Sequence, residues 1–106
     1  MGLTFKENCP DIRNTRVIDV IIALQENGCS IDTYDPWVSS HTVEENFKTN
    51  HLSEPKKNSY DAIILAVSHD EFIKISSKEI RKFGKKNHIL YDLKYLFPKE
   101  DTDLRL

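Results

Sequence analysis

Between Val17 and Leu24 the apolar residues are spaced at three and four: Val17, Ile18, Ile21, Ile22 and Leu24 share one side of a helix, and Val20 widens the stripe. The spacing predicts a helix over 14–27, packed on a sheet and stopped at Asn27-Gly28, where glycine accepts the left-handed backbone. Residues 29–34 alternate, with Cys29, Ile31 and Thr33 opposite Ser30, Asp32 and Tyr34. They predict a strand that Asp35-Pro36 closes. Residues 37–55 are poor in apolar positions, although Val43 and Phe47 would face inward from a weak helix over 43–50. Residues 56–59, Lys-Lys-Asn-Ser, read as a turn.

The run 62–67, Ala-Ile-Ile-Leu-Ala-Val, is continuously apolar and predicts a central parallel strand buried on both faces. After Ser68-His69-Asp70 a helix is expected over 77–83, with Ile80 and Phe83 inward and Gly84 ending it. His88 to Tyr91 reads as the last strand, and 100–106 as a charged tail. At the front, Leu3 to Phe5 supply only the end of a strand, and Pro10 keeps the following loop out of helix. The truncated look of that strand makes the chain an expected piece of a longer protein. Strand and helix alternate throughout, which predicts a Rossmann-like three-layer α/β sandwich with a mainly parallel sheet.

At 106 residues the chain has room for one domain. Its net charge of −2 excludes the basic footprint of a nucleic-acid binder. The longest uncharged apolar stretch, 20–24, is far short of the ~20 residues of a membrane span, so neither nucleic acid nor membrane is an expected partner. A cytoplasmic module is expected. Cys9 and Cys29 lack metal-ligand spacing and are expected as free thiols, with a disulfide the alternative.

In an open α/β sheet, ligands bind beyond the carboxyl ends of the strands, where helix N-termini favour anions. Three loops meet at that edge: 6–13, Asp35-Pro36 and 68–70, joined by 92–94. Lys6 and Arg13 flank the first and suit a phosphate, Arg13 by paired N–H bonds and Lys6 as a point charge. The competing reading is two solvated cations, one paired with Asp11. Ser68, His69 and Asp70, being adjacent, cannot face one another as a triad must and read as a polar loop. Cys9 has no base near it in sequence, and Tyr91, Tyr95 and Phe97 read as packing. No catalytic residue and no metal ligand is expected.

Residues 2–15, Gly-Leu-Thr-Phe-Lys-Glu-Asn-Cys-Pro-Asp-Ile-Arg-Asn-Thr, resemble the opening of the C-terminal domain of the UDP-glucose/GDP-mannose dehydrogenase family. Its pattern is roughly Gly-x-x-Phe-Lys-x-x-Thr-x-Asp-x-Arg-x-Ser. Tyr34-Asp35-Pro36, Tyr60-Asp61-Ala62, His69-Asp70-Glu71-Phe72 and Tyr91-Asp92-Leu93-Lys94 follow in the family's order, so the likeness covers essentially the whole chain. Cys9-Pro10 departs from the commoner Thr-x, and the whole run is similar to the branch acting on UDP-N-acetylhexosamines. The resemblance implies the nucleotide-binding domain of an enzyme that oxidises the C6 hydroxymethyl of a UDP-sugar to a carboxylate with NAD, for bacterial capsule or O-antigen synthesis. It implies substrate contacts at Phe5, Lys6 and Lys94, the last standing near a family arginine, and an NAD contact at Arg13. Its partners would be an N-terminal NAD-binding domain and a central dimerisation region of the same chain, within a homo-oligomer. The glycine-rich dinucleotide loop and the family's nucleophilic cysteine are absent from these residues, so the fragment alone is expected to be inactive. The rival expectation is a stand-alone binding or interaction module on the same fold.

Overall fold

In a computed structural model of the chain, which describes residues 1–105, helices flank a parallel sheet on both faces. The elements run α1 (Val17–Glu26), β1 (Asp32–Thr33), α2 (Ser40–Asn46), β2 (Asn50–His51), β3 (Tyr60–Leu65), α3 (Asp70–Ile75), α4 (Ser77–Arg81), β4 (Gly84–Asp92), a 3-10 turn (Lys99–Asp101) and β5 (Leu104–Arg105). β1 pairs with β2, and β3 with β4 and β4 with β5, all in parallel. The residues before the first loop join the two groups. Met1 donates to the Ile64 carbonyl at 2.7 Å and accepts from the Ala66 N–H at 2.9 Å, the parallel ladder pattern, while Gly2 N–H reaches Tyr34 on the other side at 2.9 Å. Spatial order is therefore β2, β1, the N-terminal segment, β3, β4, β5. Tyr60 on β3 also ties across to β1, its hydroxyl donating to Asp32 at 2.7 Å.

Each face of the sheet has its own apolar layer. Ile63 and Leu65 of β3 and Leu90 of β4 pack under Phe72, Ile80, Phe83 and Phe97, with α3 and α4 as the cover. Leu3, Ile21 of α1, Val43 and Phe47 form the layer on the other side. The inward placement of Val43 and Phe47 expected from the pattern holds, both being buried.

Several boundaries move for physical reasons. α1 begins three residues later than its apolar stripe predicts, because Asn14 takes a left-handed backbone at φ 62°. Its end is as expected: Gly28 has φ 84°, and Gly28 and Cys29 N–H return to the Gln25 and Leu24 carbonyls at 3.0 and 3.1 Å. Only Asp32 and Thr33 of the alternating stretch become strand, and Asn50-His51, with no strand signal of their own, pair with them. β3 is buried on one face only. Ile63 and Leu65 are covered, whereas Ala62 is exposed and Ile64 half-buried, both lining a hollow that they share with Val17, Val20 and Leu24 of α1.

The helix expected over 77–83 is present as α4, two residues shorter at its end, and a further short helix, α3, precedes it across Ser76, which has φ 79°. Gly84 starts β4 instead of ending a helix. Of the expected charged tail, 104–105 add a strand to β4, and residue 106 lies outside the described residues.

Phe72 is completely buried at the centre of its layer, so Phe72→Ala is expected to cost about 3–5 kcal/mol, read as a lowered urea midpoint. Gly2→Ala is expected to destabilise by about 1–3 kcal/mol by the same measurement. Gly2 has φ 93°, and a Cβ there would stand 2.6 Å from Val67 Cβ and 2.8 Å from Val67 N.

Candidate functional site

The carboxyl ends of the N-terminal segment, β3 and β4 meet the N-terminus of α1 around a hollow of about 340 Å³, lined by Phe5, Lys6, Glu7, Arg16, Val67 and Lys94 among others. That volume lies within the ~300–1,000 Å³ of small-molecule sites. Gly2 is what lets the first segment press against Val67, so the loop that follows starts at the edge of the hollow. Phe5 is 58% exposed, offering an aromatic face. Among the described residues neither Lys6 nor Lys94 enters an ion pair, whereas Arg16 pairs with Asp19 at 3.2 Å.

The loop carrying Phe5 and Lys6 is folded back on itself. Phe5 N–H donates to the Asp11 carbonyl at 2.7 Å, the Thr4 hydroxyl donates to the Lys6 carbonyl at 2.8 Å, and Thr15 donates to the Thr4 carbonyl at 3.4 Å. Asn8 and Asn14 take left-handed backbone, which asparagine tolerates better than most residues. Lys94 is positioned by buried Asp92 at the end of β4. One oxygen of Asp92 accepts Lys94 N–H at 3.2 Å, and the other accepts Phe97 N–H at 3.0 Å.

Beneath the loop stands a buried polar cluster. Asp35, two residues beyond β1, accepts the N–H groups of Leu3 at 2.7 Å, Thr4 at 3.3 Å and Trp37 at 2.8 Å, and lies 3.0 Å from Nε2 of His69. His69 is wholly buried, between the Trp37 ring at 6.0 Å and the Phe72 ring at 5.3 Å. Burial alone would raise the Asp35 carboxyl, but hydrogen bonds from His69, Leu3 and Trp37 outweigh it and hold it below its ordinary value of 3.8.

The sequence-predicted residues divide. Phe5, Lys6 and Lys94 come together on one hollow. Arg13 does not join them: its Nε and Nη2 are each 3.0 Å from Asp11, its side chain is 85% exposed, and it lies outside the hollow. The competing reading of Arg13 as a surface cation paired with Asp11 thus describes the geometry; such an exposed pair adds little stability. Asp35 and His69 were missed as a unit because they are 34 positions apart and His69 reads locally as a polar loop. The available signal was that each follows a strand's last apolar residues. Cys9 and Cys29 are free. Among the described residues there is no cluster of three or more potential metal ligands, and no helix is long and apolar enough to cross a membrane.

A family model described as the UDP-glucose/GDP-mannose dehydrogenase family, UDP binding domain, matches residues 1–99. A UDP-N-acetyl-D-glucosamine 6-dehydrogenase from Salmonella typhi is 52% identical over 106 residues, covering 100% of this chain and 25% of that protein. The enzyme of the same name from Pseudomonas aeruginosa is 49% identical with the same coverage. A UDP-N-acetyl-D-mannosamine dehydrogenase from Methanococcus vannielii is 34% identical over 95 residues, covering 88% of this chain and 21% of that protein. The chain spans about a quarter of the length of these relatives, or slightly less.

Because the folded-state Asp35 carboxyl is depressed, its contribution to stability is complete above the unfolded value near 3.8 and is lost as pH falls through the lower, folded value. Asp35→Asn is expected to lose about 3 kcal/mol at neutral pH and to flatten the acid limb of stability against pH, measured by urea unfolding from pH 7 down to pH 2.5.

Proposed function

This chain belongs to the UDP-glucose/GDP-mannose dehydrogenase family, and from that premise we propose that it is the nucleotide-binding C-terminal domain of a longer NAD-dependent UDP-sugar 6-dehydrogenase. The observation that carries the reading is the convergence of Lys6, Lys94 and the N-terminus of α1 on one hollow, with exposed Phe5 at the same place. The cations and the helix N-terminus suit the diphosphate of a UDP-sugar. Phe5 suits the flat face of a base or the apolar face of a sugar.

The reaction proposed for the whole protein removes two hydrides from the C6 hydroxymethyl group. The alcohol becomes an aldehyde, and the aldehyde, with one water, becomes a carboxylate; each hydride reduces one NAD. No group on this chain is assigned to bond breaking. NAD would be held mainly by the preceding domain, and the residue here that fits it is Arg13. Its guanidinium engages Asp11 through Nε and Nη2, leaving Nη1 for a cofactor phosphate presented from outside the hollow.

The curated relatives named for UDP-N-acetylhexosamine oxidation favour UDP-N-acetylglucosamine or its stereoisomers, including UDP-N-acetylgalactosamine, as substrate. The uronate would feed bacterial polysaccharide synthesis. Dimerisation would fall to a central region of the longer protein. Two free cysteines accord with a cytoplasmic setting.

The test is NADH formation by the full-length enzyme with UDP-glucose, UDP-N-acetylglucosamine, UDP-N-acetylgalactosamine and GDP-mannose, together with calorimetric titration of UDP. Lys6→Ala is expected to weaken UDP binding roughly 10- to 150-fold, the loss of one charged hydrogen bond of about 1.5–3 kcal/mol, while the melting temperature stays within a degree or two. Unchanged binding and kinetics would remove Lys6 from the site.

A further inference from the structure

The hydrogen-bond chain around His69 has only one consistent assignment of its protons. Asn8 N–H can only donate, and it stands 2.9 Å from Nδ1, so Nδ1 carries the lone pair and the ring proton sits on Nε2. The Lys6 carbonyl can only accept, so the Thr4 hydroxyl spends its proton there and turns a lone pair to Nε2, 3.3 Å away. Nε2–H is thereby shared between Asp35 at 3.0 Å and Thr4. The Asn8 side chain closes the circuit by accepting Asp70 N–H at 3.0 Å, next to His69 in sequence.

These bonds hold both ends of the segment that carries Phe5 and Lys6. Asp35 fixes Leu3 and Thr4, and His69 fixes Asn8. The three residues between them, Phe5, Lys6 and Glu7, are exposed. We propose that His69, as a neutral imidazole protonated on Nε2, is the positioning residue of this loop and sets where Phe5 and Lys6 stand. The proposal rests on the reading of Phe5 and Lys6 as UDP contacts, but the clamp has consequences of its own. A merely space-filling histidine between Trp37 and Phe72 would have no preferred tautomer and would leave the Asn8 amide free to exchange.

Two amide variants separate the halves of the clamp. In His69→Gln the side-chain amide nitrogen reaches toward the Nε2 position, keeping the link to Asp35 and losing that to Asn8. In His69→Asn the shorter amide keeps the Asn8 side and loses Asp35. In the isotope-labelled chain, imidazole nitrogen shifts are expected to show His69 protonated on Nε2 alone at neutral pH. Amide exchange at Asn8 is expected to accelerate about tenfold or more in His69→Gln, and to stay near the parent rate in His69→Asn. The Ile80 amide, bonded to the Ser76 carbonyl at 3.0 Å in the layer that also holds Phe72, reports whether the fold itself has loosened.

UDP affinity is expected to fall about tenfold in His69→Gln, the loss of one loop anchor, with the Ile80 amide unchanged. A parent ring protonated on Nδ1, or an Asn8 amide equally protected in His69→Gln, would overturn the proposal whether or not the variants fold well. UDP affinity unchanged in a His69→Gln chain whose Asn8 amide has been released would also overturn the positioning role. Should the parent fail to bind UDP while the tautomer and exchange behave as expected, the clamp stands and the nucleotide reading falls.

Discussion

The carboxylate of Asp35 is the constraint on which the candidate site depends. It sits two residues beyond a two-residue strand, almost without exposure, and gathers three backbone N–H groups and an imidazole. A buried donor left unmatched costs about 1–3 kcal/mol, so four such groups make any other course of the chain at this point expensive. The carboxylate in turn is affordable in a buried place only because those donors surround it. Each side of this arrangement requires the other. Together they bring the first loop, the turn after β1 and the start of α3 to one place.

Parallel strands make that convergence useful. With every paired strand running the same way, their following loops emerge on one edge, and the N-terminal segment lies at the middle of the order, between β1 and β3. The loop it leads into is therefore central on that edge, flanked by the Val67 turn on one side and by Asp35 on the other. Lys6, Arg16 and Lys94 crowd one hollow with Glu7 as the only acid among its lining residues. Lys6 and Lys94, neither of them in an ion pair among the described residues, repel one another there, and an anion would relieve that repulsion beside the positive end of the α1 dipole.

The fold was legible wherever a single element made its own signal. The stripe from Val17 to Leu24 marks α1, Gly28 its end, and the apolar run containing Ile63 and Leu65 the strand beneath Phe72. Elements that exist only through a partner left no trace. Asn50-His51 are a strand because Asp32-Thr33 offer an edge, and Leu104-Arg105 because β4 does; neither pair has the alternation or apolar content to declare itself.

For the site, the one-dimensional order determined which residues are chemically equipped. The two lysines stand just beyond strand ends, Arg13 has Asp11 two positions away, and Phe5 precedes a loop that Pro10 keeps out of helix. Proximity in the chain sufficed for the Arg13–Asp11 pair, because two positions is within reach of any backbone. Only the tertiary structure decided that Lys94 joins Lys6 across 88 positions, that Arg13 faces elsewhere, and that His69 is a buried partner of Asp35 rather than a loop residue. The reason is that hydrogen bonds and Coulomb forces act over a few ångströms of space. Strand order and crossover, which bring distant loops together, are set by the burial of two apolar layers rather than by the polar groups they align.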